Sequence, residues 1–455
     1  MASYIESPTP SFSVKQQKAF DDYKEGKNIF ITGPGGCGKS YIIRSIYKDA
    51  LKNGKNIKVT SLTGCSAILL NCNATTIHKW SSIGLAKGED HDILFKIRKT
   101  KRTKNYLDTE ILIIDEVSMM SEKVFELLDY LCKNICKVHH RPFGGIQLIC
   151  CGDFYQLPPV CVDKALVRES NFCFQSSQWG ITFDSSYVFD KNFRQQGDET
   201  YYQILQEIRQ GTISLESIEH LAVCKKKELD PNEEVQPTKL FPIKKQVDDY
   251  NQTHLRICKK NTPQTYKYVP KIYYEDTEVT QLNKIKDKKM QTEIEYVMKN
   301  SMYEMALELC VGCQVMCIYN VDQERKLVNG SQGTVIDFQY IAEKNQYYPV
   351  IRFEYMDEPY VMQEQQWNIE SNEKYNVRQL PLILSWAITI HKSQGLSIDK
   401  AYIDIGSNIF ECGQTYVALS RVKSLDGLYL KNLNINKIKA NPKVIEFYKS
   451  ICKAK

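Results

Sequence analysis

The feature that most constrains this chain is the run Gly33-Pro34-Gly35-Gly36-Cys37-Gly38-Lys39-Ser40, set between the apolar stretch NIFIT and the helical pattern SYIIRSIY. A glycine-rich loop ending in Lys-Ser, entered from a strand and left by a helix, is a phosphate cradle. Glycines let backbone N–H groups wrap an anion without Cβ clashes, and the helix start adds a favourable dipole. In that geometry Lys39 reaches the β- and γ-phosphates of a nucleotide, and the Ser40 hydroxyl ligates Mg²⁺. Around the loop, short apolar runs at 28–32, 57–61, 111–114 and 146–151 alternate with helical stretches. This reads as an α/β fold with a parallel sheet covered on both faces.

A second element completes the site. The apolar run Ile111-Leu-Ile-Ile ends in Asp115-Glu116. Asp115 suits a Mg²⁺ ligand, direct or through water, and Glu116 suits polarisation of the attacking water. Adjacent carboxylates also end ordinary turns, but the loop upstream favours the catalytic reading. Cys151-Gly152-Asp153-Phe154-Tyr155-Gln156 follows another apolar run and places Gln156 to sense a γ-phosphate. Alone it would read as a Pro-terminated turn with a surface Gln. Phosphoryl transfer needs cations beyond Mg²⁺ and Lys39. Arg194 and Arg421 stand in suggestive contexts, although by composition a single Arg is more often a surface residue.

The 455 residues suit two or three domains. From residue 196 the sequence turns polar and helical. Runs at 314–318, 333–338, 348–353 and 360–363, with an Asn329-Gly330 turn, read as a small antiparallel barrel inserted into the second part, and α/β patterning resumes at Leu380. The expected division is 1–195, with a small insertion at 81–106; then 196–270 joined to 380–455; and 271–379 as the barrel. Net charge is +6, which suits a polyanionic partner without demanding one. The basic run from Lys96 to Lys104 fits a solvated loop and a phosphate-contacting one equally well. The 16 cysteines are scattered in a chain with no secretory pattern, so an intracellular, reducing compartment is expected. Cys310 and Cys313 form a CxxC without a second pair or His cluster, and read as core cysteines rather than zinc ligands. No apolar run reaches the roughly 18 residues of a membrane span.

Together these segments resemble the Pif family of superfamily 1B DNA helicases, over almost the whole chain. Phe12-Ser13-Val14-Lys15-Gln16 looks like the adenine-reading motif, implying base contact by Gln16. Thr63-Gly64-Cys65-Ser66-Ala67 and Thr76-Ile77-His78 look like strand-contacting segments. The most specific stretch is Pro142-Phe143-Gly144-Gly145-Ile146-Gln147-Leu148. Thr389-Ile-His391-Lys392-Ser393-Gln394-Gly395 and Tyr416-Val-Ala-Leu-Ser-Arg421 look like the fifth and sixth helicase motifs. Cys37 departs from the usual Thr, at a position without phosphate chemistry.

The resemblance implies two RecA-like lobes with ATP and Mg²⁺ between them. Arg421 comes from the second lobe, Arg194 lies near the junction, and Gly395 joins the nucleotide pocket. It implies 5′-to-3′ stepping on single-stranded DNA, with Thr63, His78, Thr389, His391 and Lys392 contacting the strand. Residues 81–106 fit a duplex-splitting wedge by position. Forked DNA is the expected substrate in replication, recombination or repair, for an enzyme acting as a monomer or as a dimer on DNA. The nucleus is the expected setting, or the host cytoplasm and virus factory if the Lys/Ile/Asn/Tyr-rich composition reflects a large DNA virus. Two other readings stand beside this one. An ATP-gated clamp would unwind little, and a small-molecule P-loop kinase would leave Gln156, Arg194, His391 and Arg421 unexplained.

Overall fold

A computed structural model describes residues 12–453 except 71, 85, 87, 100–101, 160–166, 196, 231–234, 263, 301–302, 323–324, 326, 370–371 and 373. The leader read at 8–11 and Lys101 of the basic run lie outside the described residues. The chain divides into two compact units. One is Met1–Thr212 with Glu411–Tyr416 and Ile438–Lys455; the other is Ile213–Phe410 with Val417–Lys437.

The first unit is built on six strands: β1 (Ile29–Thr32), β2 (Ile57–Ser61), β3 (Thr75–Thr76), β4 (Ile111–Asp115), β5 (Gln147–Gly152) and β6 (Ser185–Val188). Their order is β3-β2-β4-β5-β1-β6, with every pairing parallel. Successive side chains leave opposite faces, so each strand feeds two cores. Phe30, Leu112, Ile114, Leu148 and Cys150 enter one, while Ile29, Ile31, Ile113, Ile149 and Cys151 enter the other. A strand apolar on both faces belongs in a helix-covered parallel sheet, and the sequence runs carry that signal.

Residues 81–106 contribute helices Asp90–Lys99 and Lys104–Asp108. Ile93, Leu94, Ile97 and Tyr106 pack into the first core, while Lys96, Arg98, Lys99, Arg102 and Lys104 are exposed. The basic run is therefore the solvent face of an amphipathic cap.

Two expected boundaries differ. Helix Glu199–Arg209 and helix Pro442–Lys453, both assigned from sequence to the second domain, belong to the first unit. The reason is burial. Asp153 is fully buried and requires a cation, which Arg209 supplies, and Val444 and Tyr448 complete the apolar core.

The second unit carries a parallel sheet ordered Ala387–Thr389, Thr238–Phe241, Ala401–Ile405, Leu428–Leu433. Its antiparallel part is wider than the expected barrel, running from Tyr266 to Leu384. It comprises sheets of four, two and five strands rather than one small barrel. Among the described residues, no helix is long and apolar enough to cross a membrane.

Candidate active site

Parallel register decides where the chemistry sits. Thr32 pairs with Gly152 and Ile114 with Cys150, so β1, β4 and β5 end together. Gly33, Asp115 and Asp153 therefore leave the sheet along one edge, the crevice where open α/β sheets bind ligands. The loop is tightly enclosed. A Cβ on Gly33 would lie 2.4 Å from Phe189 O, on Gly36 2.5 Å from Arg194 Cβ, and on Gly38 2.6 Å from Gln16 Nε2. These three glycines also have φ of +149°, +81° and +87°, a region other residues enter at a cost. The same contacts place Arg194 and Gln16 against the loop. Ser13 caps the helix beginning at Val14, and Gln16 Oε1 accepts from Ser13 N at 2.9 Å.

Lys39 Nζ donates to Gly33 O at 2.7 Å and Pro34 O at 3.0 Å. Burial works against its charge, but nearby negative charges, Asp153 and Glu116 among them, favour the protonated amine, and its pKa is raised. Asp115 is 7% exposed. Burial, then the neighbouring Glu116 charge, raises its pKa well above the usual carboxylate value. A carboxylate destabilised in this way gains most from a cation placed beside it. Ser40, at the exposed start of helix Lys39–Lys52, has the donor type to share that cation. Glu116 adopts φ +56°, ψ +39°, an uncommon conformation for a non-glycine residue and one often stored at functional sites. Burial depresses the Arg194 pKa, opposed by Tyr416 and Glu116, so Arg194 and Glu116 lie within each other's field. The Cys37 thiol is buried and its pKa is raised by that burial, so it is an inert packing group.

The sequence reading missed a buried network behind this edge. Arg209 grips Asp153 through Nε–Oδ2 at 2.9 Å and Nη2–Oδ1 at 2.8 Å. Tyr448 OH donates to Asp153 Oδ1 at 3.3 Å, accepts from Phe154 N at 3.2 Å, and bonds Thr32 Oγ1. Tyr155 stacks on Tyr448 at 4.7 Å, with the Arg209 guanidinium 4.5 Å from the Tyr155 ring centre. Tyr448 therefore ties the residue before the phosphate loop to the turn that carries Gln156, itself 5% exposed. Tyr416 adds a contact to the loop, accepting from Gly35 N at 3.0 Å. Asp153 and Tyr416 stood inside recognised motifs, but no sequence signal linked Arg209 or Tyr448 to them.

The other expected residues divide between the units. Thr63 and His78 follow β2 and β3, so they lie along the same sheet edge as Asp115. Thr63 Oγ1 accepts from Ser66 N at 3.2 Å, capping helix Gly64–Leu70. Burial lowers the His78 pKa, which favours a neutral imidazole near pH 7. In the second unit, Thr389 ends an outer strand and accepts from Lys392 N at 3.1 Å. His391 is half-buried, Lys392 is exposed, and Gly395 takes φ +83°. Arg421 is 2% exposed. Its Nε donates to Val417 O at 2.9 Å, its Nη2 to Ser420 Oγ at 2.7 Å, and its Nη1 to Ser393 O at 3.4 Å and Leu396 O at 3.5 Å. The two helicase-like motifs of this unit are thus joined through one guanidinium.

Comparison with known proteins adds a direct result. A family model described as PIF1-like helicase matches residues 11–219, and one for the 2B domain of DNA helicase Pif1 matches residues 295–338. The ATP-dependent DNA helicase PIF1 of Emericella nidulans is 31% identical, across 95% of this chain and 62% of its own length. The ATP-dependent DNA helicase Pif1 of Bdellovibrio bacteriovorus is 31% identical, across 96% of this chain and 91% of its own. The crystal structure of Pif1 helicase from Candida albicans is 33% identical, with TM-score 0.77 over 97% of this chain and 100% of that one. The chain spans less than two thirds of the Emericella relative.

Proposed function

We propose a function from one premise: the chain belongs to the PIF1-like helicase family. It hydrolyses ATP to move 5′ to 3′ along single-stranded DNA and to unwind duplex or structured DNA. The observation that carries this reading is the shared edge of β1, β4 and β5. That edge gathers Gly33–Ser40, Asp115, Glu116 and Arg194 in one unit. Names of relatives support DNA as the track, since ATP-dependent DNA helicases match nearly the whole chain.

In the working enzyme Lys39 exchanges its two loop carbonyls for the β- and γ-phosphates. Ser40 and Asp115 would hold Mg²⁺, which neutralises charge on the phosphates. Glu116 orients the attacking water, Gln156 senses the γ-phosphate, and Arg194 and Arg421 stabilise charge on the transferring phosphoryl. A ligand drives a conformational step only through contacts it makes better in one state. Here those contacts are made to the γ-phosphate, and hydrolysis removes them. Thr63, His78, Thr389, His391 and Lys392 hold the strand through its backbone, which carries little sequence information. Phe95, 66% exposed, stands beside Lys96 on the outer face of the cap, where an apolar ring flanked by cations suits a duplex fork.

The test is strand displacement on duplexes bearing a 5′ or a 3′ single-stranded tail, with ATP. The 5′-tailed substrate should be unwound and the 3′-tailed one spared, and Lys39→Ala should abolish both unwinding and ATP turnover. Tail-independent ATPase without displacement would instead identify an ATP-gated clamp.

A further inference from the structure

The phosphate loop is met by a different side chain at successive positions. Gln16 lies against Gly38, Arg194 against Gly36, and Tyr416 against Gly35, whose N–H it accepts at 3.0 Å. If Gln16 meets the base, as the family resemblance implies, and Arg194 serves the transferring phosphoryl, this order runs along the nucleotide from base to terminal phosphate. Tyr416 stands at its far end, and the chemistry assigned to the site does not use it. Its placement is fixed from behind. Tyr416 belongs to helix Gln414–Leu419, and the segment Glu411–Tyr416 is part of the first unit. A Cβ on Gly413 would lie 2.5 Å from Gln156 O and 2.6 Å from Tyr155 O, and its φ of +78° suits glycine. Gly413 N also donates to Lys439 O at 3.2 Å. The segment therefore rests at one end on the turn that carries Gln156 and at the other on the phosphate loop.

A phenol hydroxyl both accepts and donates. Tyr416 is 2% exposed. Among the described residues its oxygen takes the Gly35 N–H, while its proton has no acceptor. A buried donor without an acceptor is costly and calls for an explanation. Gly35, Gly36, Gly38 and Lys39 are half-buried rather than sealed, so a phosphate can reach the loop beside this hydroxyl. Burial, then the Asp153 charge, pushes the phenol pKa up to about 12, so the proton stays on the oxygen at neutral pH. Hydrogen bonds to charged oxygens are the strong ones, and a phosphate oxygen is such an acceptor.

We propose that Tyr416 is a nucleotide-contacting residue that distinguishes ATP from ADP: the Gly35 N–H orients its hydroxyl, and its O–H donates to the terminal phosphate. This rests on the reading of the loop as an ATP cradle. The donor faces the side of the loop shared by Arg194 and the Gln156 turn, the groups that address the γ-phosphate, so ADP offers it no partner. Tyr416 is also the last residue of the first unit before the chain passes to Val417 and on to Arg421. A hydrogen bond that forms with ATP and is lost with ADP is thus made where the chain leaves the unit that holds the loop. Such a differential contact is what a ligand needs in order to bias a conformational step.

The experiment measures equilibrium binding of a non-hydrolysable ATP analogue and of ADP, each with Mg²⁺, to the full chain and to Tyr416→Phe, which keeps the ring and removes only the hydroxyl. Affinity for the analogue should fall about tenfold while affinity for ADP stays within about twofold. Tyr448→Phe removes another buried hydroxyl of the same unit, one that serves Thr32 and Phe154 rather than the loop's own N–H groups, and should leave the ratio of the two affinities unchanged. Equal weakening of analogue and ADP in Tyr416→Phe would assign the hydroxyl to support of the loop alone and overturn the proposal, as would analogue binding equal to wild type. A wild-type chain that binds neither nucleotide would overturn the ATP reading of the loop and the proposal with it.

Discussion

Each unit buries one arginine beside its functional motifs, and the two are held differently. Arg209, 7% exposed, meets the fully buried Asp153 in a two-bond fork, which raises the guanidinium pKa against the effect of burial. Arg421, 2% exposed, has among its bonds three to backbone carbonyls and one to a hydroxyl of its own unit, two of the four at 3.4 and 3.5 Å. A cation matched to a carboxylate has no reason to leave it, because separating the pair strands two buried charges. Long bonds to carbonyls can be exchanged for a phosphate at small cost. The first arrangement is scaffold; the second is suited to work in a cycle.

Substitutions can break that contrast. The largest effect should come from Asp153→Ala. It strands Arg209 and should cost the first unit about 3–5 kcal/mol of stability in chemical denaturation. A loss of a few tenths would mean that water or another group serves Arg209 equally well. Tyr448→Phe is the finer probe. It keeps the ring stack and the Asp153–Arg209 pair but removes the hydroxyl that serves Thr32 and Phe154. The expected loss is about 1–3 kcal/mol of stability, with ATP turnover reduced more than ATP affinity. A change in affinity alone would detach Tyr448 from the turn that carries Gln156. The smallest effect should follow replacement of Lys99 and Arg102 by Ala on the exposed face of the cap. Forked-DNA unwinding should fall while ATPase on short single strands persists, with the salt-dependence slope of fork binding shallower by roughly one unit or more. Equal losses in both activities would remove the cap from the fork.

The same contrast explains how much of the molecule was legible. Gly33–Ser40 and Asp115-Glu116 were readable because each is a contiguous motif at the end of an apolar run, and parallel register brought them together. The four central strands of the first unit followed from the same runs, whereas the parallel strands of the second unit were not read individually. In the antiparallel part the readings at 333–338 and 348–353 fell within the observed strands Gln332–Ile341 and Gln346–Phe353. The short β3 and β6 were missed, since two or four half-buried residues carry little periodicity. The buried network was invisible for a different reason. Asp153 needs a cation by elementary electrostatics, but nothing local says that Arg209 supplies it, or that Tyr448 returns from near the chain's end to do the rest. The domain edges failed with it, because those contacts carry two helices to the first unit.

The most direct test of the account is ATP turnover by Arg421→Ala in the presence of single-stranded DNA. If Arg421 is working machinery, turnover should fall about 10²–10³-fold, as when one stabilising donor leaves a transition state, while the thermal unfolding midpoint stays close to wild type. Turnover near wild type, with the midpoint collapsing instead, would show that Arg421 is scaffold like Arg209 and that the cycle draws its charge from elsewhere.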